Sequence, residues 1–221
     1  MREKLEKYLY RHLPHDEHLS DDEKYLFLIS FLASTYAISM QFFVFVFHLF
    51  TGVLPLFFLY LGGFLIDILL FWLVRKYSYL QFGILLTTVV IVETLVSAIY
   101  IGTDNFIIVY LVVTLMMQII IPYASSRVRA LMILVLWGSM VALVMINHYL
   151  VPIRDIGDAD TSLAFFNIHL AFFGTIIQLT AGNVIWDLIR STNQEKLEES
   201  INQAHTDPLT GLFNRRYADT F

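Results

Sequence analysis

Six stretches of the chain, at about 21–50, 53–74, 82–101, 106–122, 130–151 and 163–186, are almost purely apolar and are separated by short polar turns. At about 1.5 Å of rise per residue, each helical run is long enough to cross a hydrocarbon core of roughly 30 Å. In lipid, backbone polar groups must be satisfied within their own segment, which leaves helices as the economical solution. The expected fold class is therefore an all-α membrane protein with a six-transmembrane-helix bundle. Turn chemistry marks the joints. Ser20 with Glu23 forms a capping box before the first run, Thr51-Gly52 and Gly102-Thr103-Asp104-Asn105 are tight turns, and Asp160-Thr161-Ser162 offers N-caps for the sixth helix.

With 57% hydrophobic and 15% charged residues, the chain departs far from a soluble globular mix. It contains no cysteine, which excludes a disulfide framework, a thiolate metal site and a cysteine nucleophile. A formal charge of -5 is small and scattered, so no nucleic-acid partner is expected. The first 24 residues are polar and the first apolar run is too long for a cleavable signal. Lys and Arg fall in the N-terminal segment, the second-to-third loop, the fourth-to-fifth loop and the C-terminal tail, with Arg154 the exception. By the positive-inside bias both termini are cytoplasmic. Residues 2–13 carry one apolar face and suit either a membrane-surface helix or a solvated one. His12, His15 and His18 do not form a metal site, because Pro14 breaks the helix that would align them. No repeat suggests a transporter built from inverted halves.

Charged groups at mid-membrane cost about 3 kcal/mol on insertion scales and are functional hypotheses by default. Glu93 falls near the middle of the third run and Asp67 toward the cytoplasmic third of the second. Counting rises puts Gln41 and His169 at the depth of Glu93, with His48, Asn147 and His148 nearer the outer face. Ser97 and Tyr100 share the helical face of Glu93. One reading is an outward-facing pocket lined by Glu93, His169, Gln41, Tyr100, His48 and His148, open to an unknown small-molecule or ion signal. The other is an interhelical polar network that fixes packing. Asp67, Gln118 and Gln178, at comparable inner depth, fit the network reading better. Histidine and glutamate are zinc ligands by type, but no ligand spacing supports a metal site, and none is expected.

The sixth run carries a stripe of small and polar residues, Asn167, Ala171, Gly174, Gln178, Ala181 and Gly182, continuing through Ile185 and Ile189. Small residues allow close helix approach, so this is a packing face, within one bundle or against a second copy. Beyond Trp186 the chain turns polar without Pro or Gly until Pro208, which continues the helix. Leu197, Ile201 and Ala204 give that continuation a weak heptad seam. The twelve tyrosines and nineteen phenylalanines read as lipid-facing bulk and interfacial belt.

The stretch Asp207-Pro208-Leu209-Thr210-Gly211-Leu212-Phe213-Asn214-Arg215-Arg216 starts one short helix at Asp207-Pro208, turns at Gly211 and caps another with Asn214. Its pattern D-x-L-T-G-L-x-N-R-R resembles the opening of the GGDEF domain of membrane-bound diguanylate cyclases, over about fifteen residues. The resemblance implies a bacterial inner-membrane protein in which a sensory and dimerising membrane region regulates condensation of two GTP into cyclic di-GMP. It also implies a homodimer, with Mg²⁺ and GTP belonging to the α/β catalytic domain rather than to these residues. The family's metal-binding carboxylates and its GG[DE]EF turn lie downstream of the matched stretch, so Asp207, Pro208, Gly211 and Asn214 are expected to form a hinge without a catalytic role. The organisation expected is a cytoplasmic segment at 1–20, a six-helix sensor at 21–187, a signalling helix at 188–206 and the start of a GGDEF domain at 207–221. A degenerate nucleotide-binding domain, a passive membrane anchor and a small transporter are the competing readings.

Overall fold

The computed structural model describes residues 21–74, 79–120 and 125–205. These form α1 (Asp21–Phe50), α2 (Leu54–Val74), α3 (Tyr79–Ile101), α4 (Val109–Ile120), α5 (Ser126–Tyr149) and α6 (Asp158–His205), with no strand among the described residues. Five of the six contain a stretch long and apolar enough to cross a membrane: Leu26–Phe50, Leu54–Trp72, Gln81–Ile101, Ser126–Tyr149 and Asp158–Val184. The chain is thus a multi-pass helical membrane protein. Ser20 and the hinge residues Asp207, Pro208, Gly211 and Asn214 lie outside the described residues.

The fourth helix differs most from expectation. An apolar run from Phe106 predicts a helix there, yet α4 begins at Val109 and, among the described residues, its apolar part, Val109–Gln118, is too short to count as a span. Asn105 explains the delay. Its carboxamide oxygen accepts from Ile107 N at 3.2 Å, and Phe106 takes a left-handed φ of 58°. Consecutive turns then close through Phe106 N to Thr103 O and Val109 N to Phe106 O. Ile107 is apolar because it is buried in the protein, in a cluster with Ala98, Leu111, Leu136 and Leu143.

The sixth helix starts a turn and a half earlier than its Asp-Thr-Ser caps suggest. Asp155 Oδ1 accepts from Gly157 N at 2.8 Å, Gly157 takes φ 54°, and Asp160 N donates to Gly157 O. That turn launches α6 at Asp158 and puts Asp158 and Asp160 in its first turn, where carboxylates face the positive end of the helix dipole.

The chain divides into two compact units, Met1–Gly182 and Asn183–Phe221. In the first, α1 and α2 form an antiparallel hairpin through Gly52, whose φ of 70° closes the turn without a Cβ penalty. Arg154, the basic residue that departs from the charge bias, donates through Nη1 to Gly52 O at 3.2 Å, and its amide donates to Tyr100 O. At this end a cluster of Val44, Val53, Leu56, Tyr60, Ile101 and Leu163 seals the interior. Toward the other end, Phe31 packs on Phe71 with ring centroids 5.3 Å apart. In the second unit the helical residues expose Trp186, Leu197 and Ile201.

Candidate ligand cavity

Between the sealed end and the Phe31–Phe71 contact, α1, α2, α3 and α4 diverge around a cavity of about 70 Å³. Its wall combines apolar residues such as Met40, Val44, Leu86, Val90 and Val113 with a dense polar set: Gln41 from α1, Asp67 from α2, Thr87, Glu93 and Thr94 from α3, and Gln118 from α4. Tyr36, Tyr60 and Tyr110 complete it. Glu93 is 5% exposed and Asp67 1%.

Helix rotation and depth bring these groups together. Gln41 Nε2 donates to Glu93 Oε2 across α1 and α3. Gly63 on α2 makes the space, since a β-carbon there would overlap Glu93 Oε1. Tyr60, one turn earlier on α2, bonds through its hydroxyl to Ser97 Oγ at 2.9 Å. Gln118 Nε2 donates to Thr87 Oγ1 at 3.0 Å. Four atoms of this set have no hydrogen-bond partner: Gln41 Oε1, Asp67 Oδ1, Asp67 Oδ2 and Glu93 Oε1. Each is an acceptor, and buried polar groups are normally satisfied.

Two tyrosines of the wall also touch α6. Tyr110 donates to Asn167 Oδ1 at 2.7 Å, and Asn167 Nδ2 donates onward to Asn105 O at 2.9 Å. The Tyr36 hydroxyl reaches Leu170 O at 3.4 Å and rests where a side chain at Gly174 would otherwise be. The small-residue stripe is therefore at least partly an internal packing face: Asn167, Ala171, Gly174, Gln178 and Gly182 are buried within the single chain. Gln178 lies on it with both carboxamide atoms unpartnered, outside the cavity wall. The side chains of Ala181, Ile185 and Ile189 lie outside the described residues.

The remaining expected pocket residues lie elsewhere. His169 is exposed on α6, bonded by Nδ1 to Phe165 O, with its ring tilted against that of Phe165 at a centroid separation of 4.0 Å. His148 is exposed at the end of α5. Tyr100 packs against the sealing cluster. His48 is buried beside that cluster, stacked on Tyr60 at 5.2 Å, with Nδ1 unpartnered. The cavity is thus a mid-bundle chamber closed at the α1–α2 turn by apolar packing, not a pocket opening past His48 and His148. Asp67, expected in a packing network, is in its wall. Tyr36, Tyr60, Tyr110 and Gly63 carry no sequence signal that separates them from the many other aromatic and small residues. Among the described residues, no group of three or more His, Cys, Asp or Glu side chains is arranged to hold a metal ion.

No family model, no curated protein and no solved structure matches this chain.

Proposed function

We propose that the chain is a transmembrane sensory module that sets the output of a diguanylate cyclase domain opening at Asp207, acting through its last helix. The carrying observation is that Tyr36 and Tyr110 each line the polar cavity and each contact α6, through Leu170 and Gly174 and through Asn167. A molecule in the cavity therefore meets side chains that already hold the helix leading, in sequence, to the D-x-L-T-G-L-x-N-R-R stretch. The positive-inside distribution of Lys and Arg supports a cytoplasmic position for that stretch, and the resemblance implies a bacterial inner membrane, with GTP and Mg²⁺ on the side where such a domain would use them.

Transmission requires differential affinity: an occupant shifts α6 only to the extent that it prefers one arrangement over another. A weakly specified helix seam such as Leu197–Ile201 in a homodimer supplies two registers of similar energy for that bias. Cyclase domains present one GTP each, so a change in seam register changes how two of them face.

The test is cyclic di-GMP formation in membranes carrying the full-length protein, as wild type, Glu93→Gln and Asn167→Leu, at matched abundance. Both substitutions are expected to change output several-fold relative to wild type while leaving the isolated cytoplasmic half unaffected. Equal output from all three sinks the sensory reading in favour of an anchor. No product from any, with GTP bound, points to a degenerate nucleotide-binding domain.

A further inference from the structure

Among the described residues, the buried side-chain polar atoms of the cavity wall that lack a partner are all oxygens, on Gln41, Glu93 and Asp67. Two of those side chains are carboxylic acids, and among the described residues no Lys, Arg or His lines the cavity. An ionised carboxylate buried without a counter-charge is strongly disfavoured. The donors of the described wall, such as Gln41 Nε2, Gln118 Nε2 and the Tyr36 and Tyr110 hydroxyls, are already engaged, which leaves these oxygens with neither a donor nor a positive charge beside them. Resting on the sensory reading of this cavity, we infer that its ligand is a primary alkylammonium ion.

Three features of the wall select that class. The ammonium head offers three N–H donors to acceptors that have none, and it brings the missing charge. A quaternary ammonium supplies charge but leaves the oxygens unsatisfied. Met40, Val90 and Val113 give an apolar surface for the alkyl body, which a bare metal ion would not use. Tyr36, Tyr60 and Tyr110 put aromatic rings in the same wall, a residue type that attracts cations. The acceptors also have a layout. Gly63, against which the Glu93 carboxylate rests, and Asp67 are one turn apart on α2, about 6 Å along its axis. An ammonium head therefore meets acceptors from the Gln41–Glu93 pair at one end of the chamber and from Asp67 at the other.

The probe is radiolabelled n-butylammonium, measured by equilibrium dialysis against the full chain in lipid nanodiscs. Tetramethylammonium, sodium and 1-butanol serve as unlabelled competitors. The expected result is saturable binding near one site per chain, displaced by unlabelled n-butylammonium and at least tenfold less effectively by each competitor. Asp67→Asn and Glu93→Gln are expected to weaken binding tenfold or more, with size-exclusion profiles and melting temperatures confirming that each variant is folded. The wild-type competition series is decisive even if a variant misfolds. Absence of saturable uptake by folded wild type overturns the inference, as does displacement by sodium or tetramethylammonium at equal concentration. So does unchanged affinity in both folded variants. Binding is read without reference to cyclase output, so the two conclusions fail separately. Loss of the ligand class with output still sensitive to Glu93→Gln removes only this inference, and binding without any effect on output removes only the sensory reading.

Discussion

Gly63 of α2 stands so close to the Glu93 carboxylate of α3 that any β-carbon at position 63 would overlap Glu93 Oε1 and lie 2.8 Å from Gln41 Nε2. The adjacent glycine, Gly62, has open space where its β-carbon would go. The pair makes an internal control. Gly63→Ala is expected to cost about 1–3 kcal/mol of stability, the usual range for overpacking, because carboxylate and carboxamide must both move. Gly62→Ala is expected to be neutral or stabilising by up to about 1 kcal/mol, since alanine is the better helix former. Equilibrium unfolding of the purified protein in mixed detergent would decide, and equal effects would show that the three-helix contact is looser than described.

A second close approach joins α1 to α6. A β-carbon at Gly174 would overlap the Tyr36 hydroxyl and crowd its ring, whereas Gly138 on α5 has open space. Gly174→Ala should therefore destabilise and Gly138→Ala should not. The sharper measurement is a double-mutant cycle with Tyr36→Ala. Once the ring is gone the glycine is free to change, so a coupling of about 1 kcal/mol or more is expected. Additive effects would mean that Tyr36 does not occupy the groove of α6.

Depth along the bundle was legible in the sequence, but rotation about each helix axis was not. Counting rises sets Gln41, Glu93 and His169 at one level, and the structure joins the first two by a hydrogen bond. His169 lies two residues from Asn167 and Ala171, which places it on the opposite side of α6, facing outward. Asp67 is one turn from Gly63 on the same face of α2, a relation that matters only once Gly63 is known to meet Glu93. The start of α4 is hidden in the sequence for a related reason. An apolar run reads alike whether it faces lipid or protein, and Phe106 to Ile108 are spent on turns organised by Asn105. Tyr36, Tyr60 and Tyr110 vanish among twelve tyrosines until their hydroxyl partners are seen.

The Tyr110–Asn167 hydrogen bond should be measurable as a coupling. Removing either side chain leaves a buried partner unsatisfied, because Asn167 is 1% exposed and Tyr110 is packed in the cavity wall. Tyr110→Phe and Asn167→Leu are expected to show an interaction energy of about 0.6 kcal/mol and at most roughly 1.7, the range for side-chain hydrogen bonds between membrane helices. Cyclic di-GMP output offers the second readout. If this bond carries the signal, Tyr110→Phe alone should blunt any ligand response while leaving basal abundance unchanged.

The proposed seam in the second unit admits a clean chemical test, because the chain has no cysteine. Leu197 and Ile201 are exposed apolar residues four apart in a charged helical stretch, so they share one face. Single cysteines at these positions should cross-link two copies under mild oxidation, since a disulfide forms only when the two Cα atoms come within about 7 Å. A cysteine at Glu199 lies on the opposite side of the helix and should cross-link several-fold less. Equal product at 197, 199 and 201 would indicate random collision, and no product at any would remove the homodimer. If cross-linking at 197 and 201 changes in opposite directions when the cavity is altered by Glu93→Gln, the helix changes register. If both stay fixed while output changes, the signal reaches the proposed cyclase domain by another motion, such as a shift of α6 along its axis.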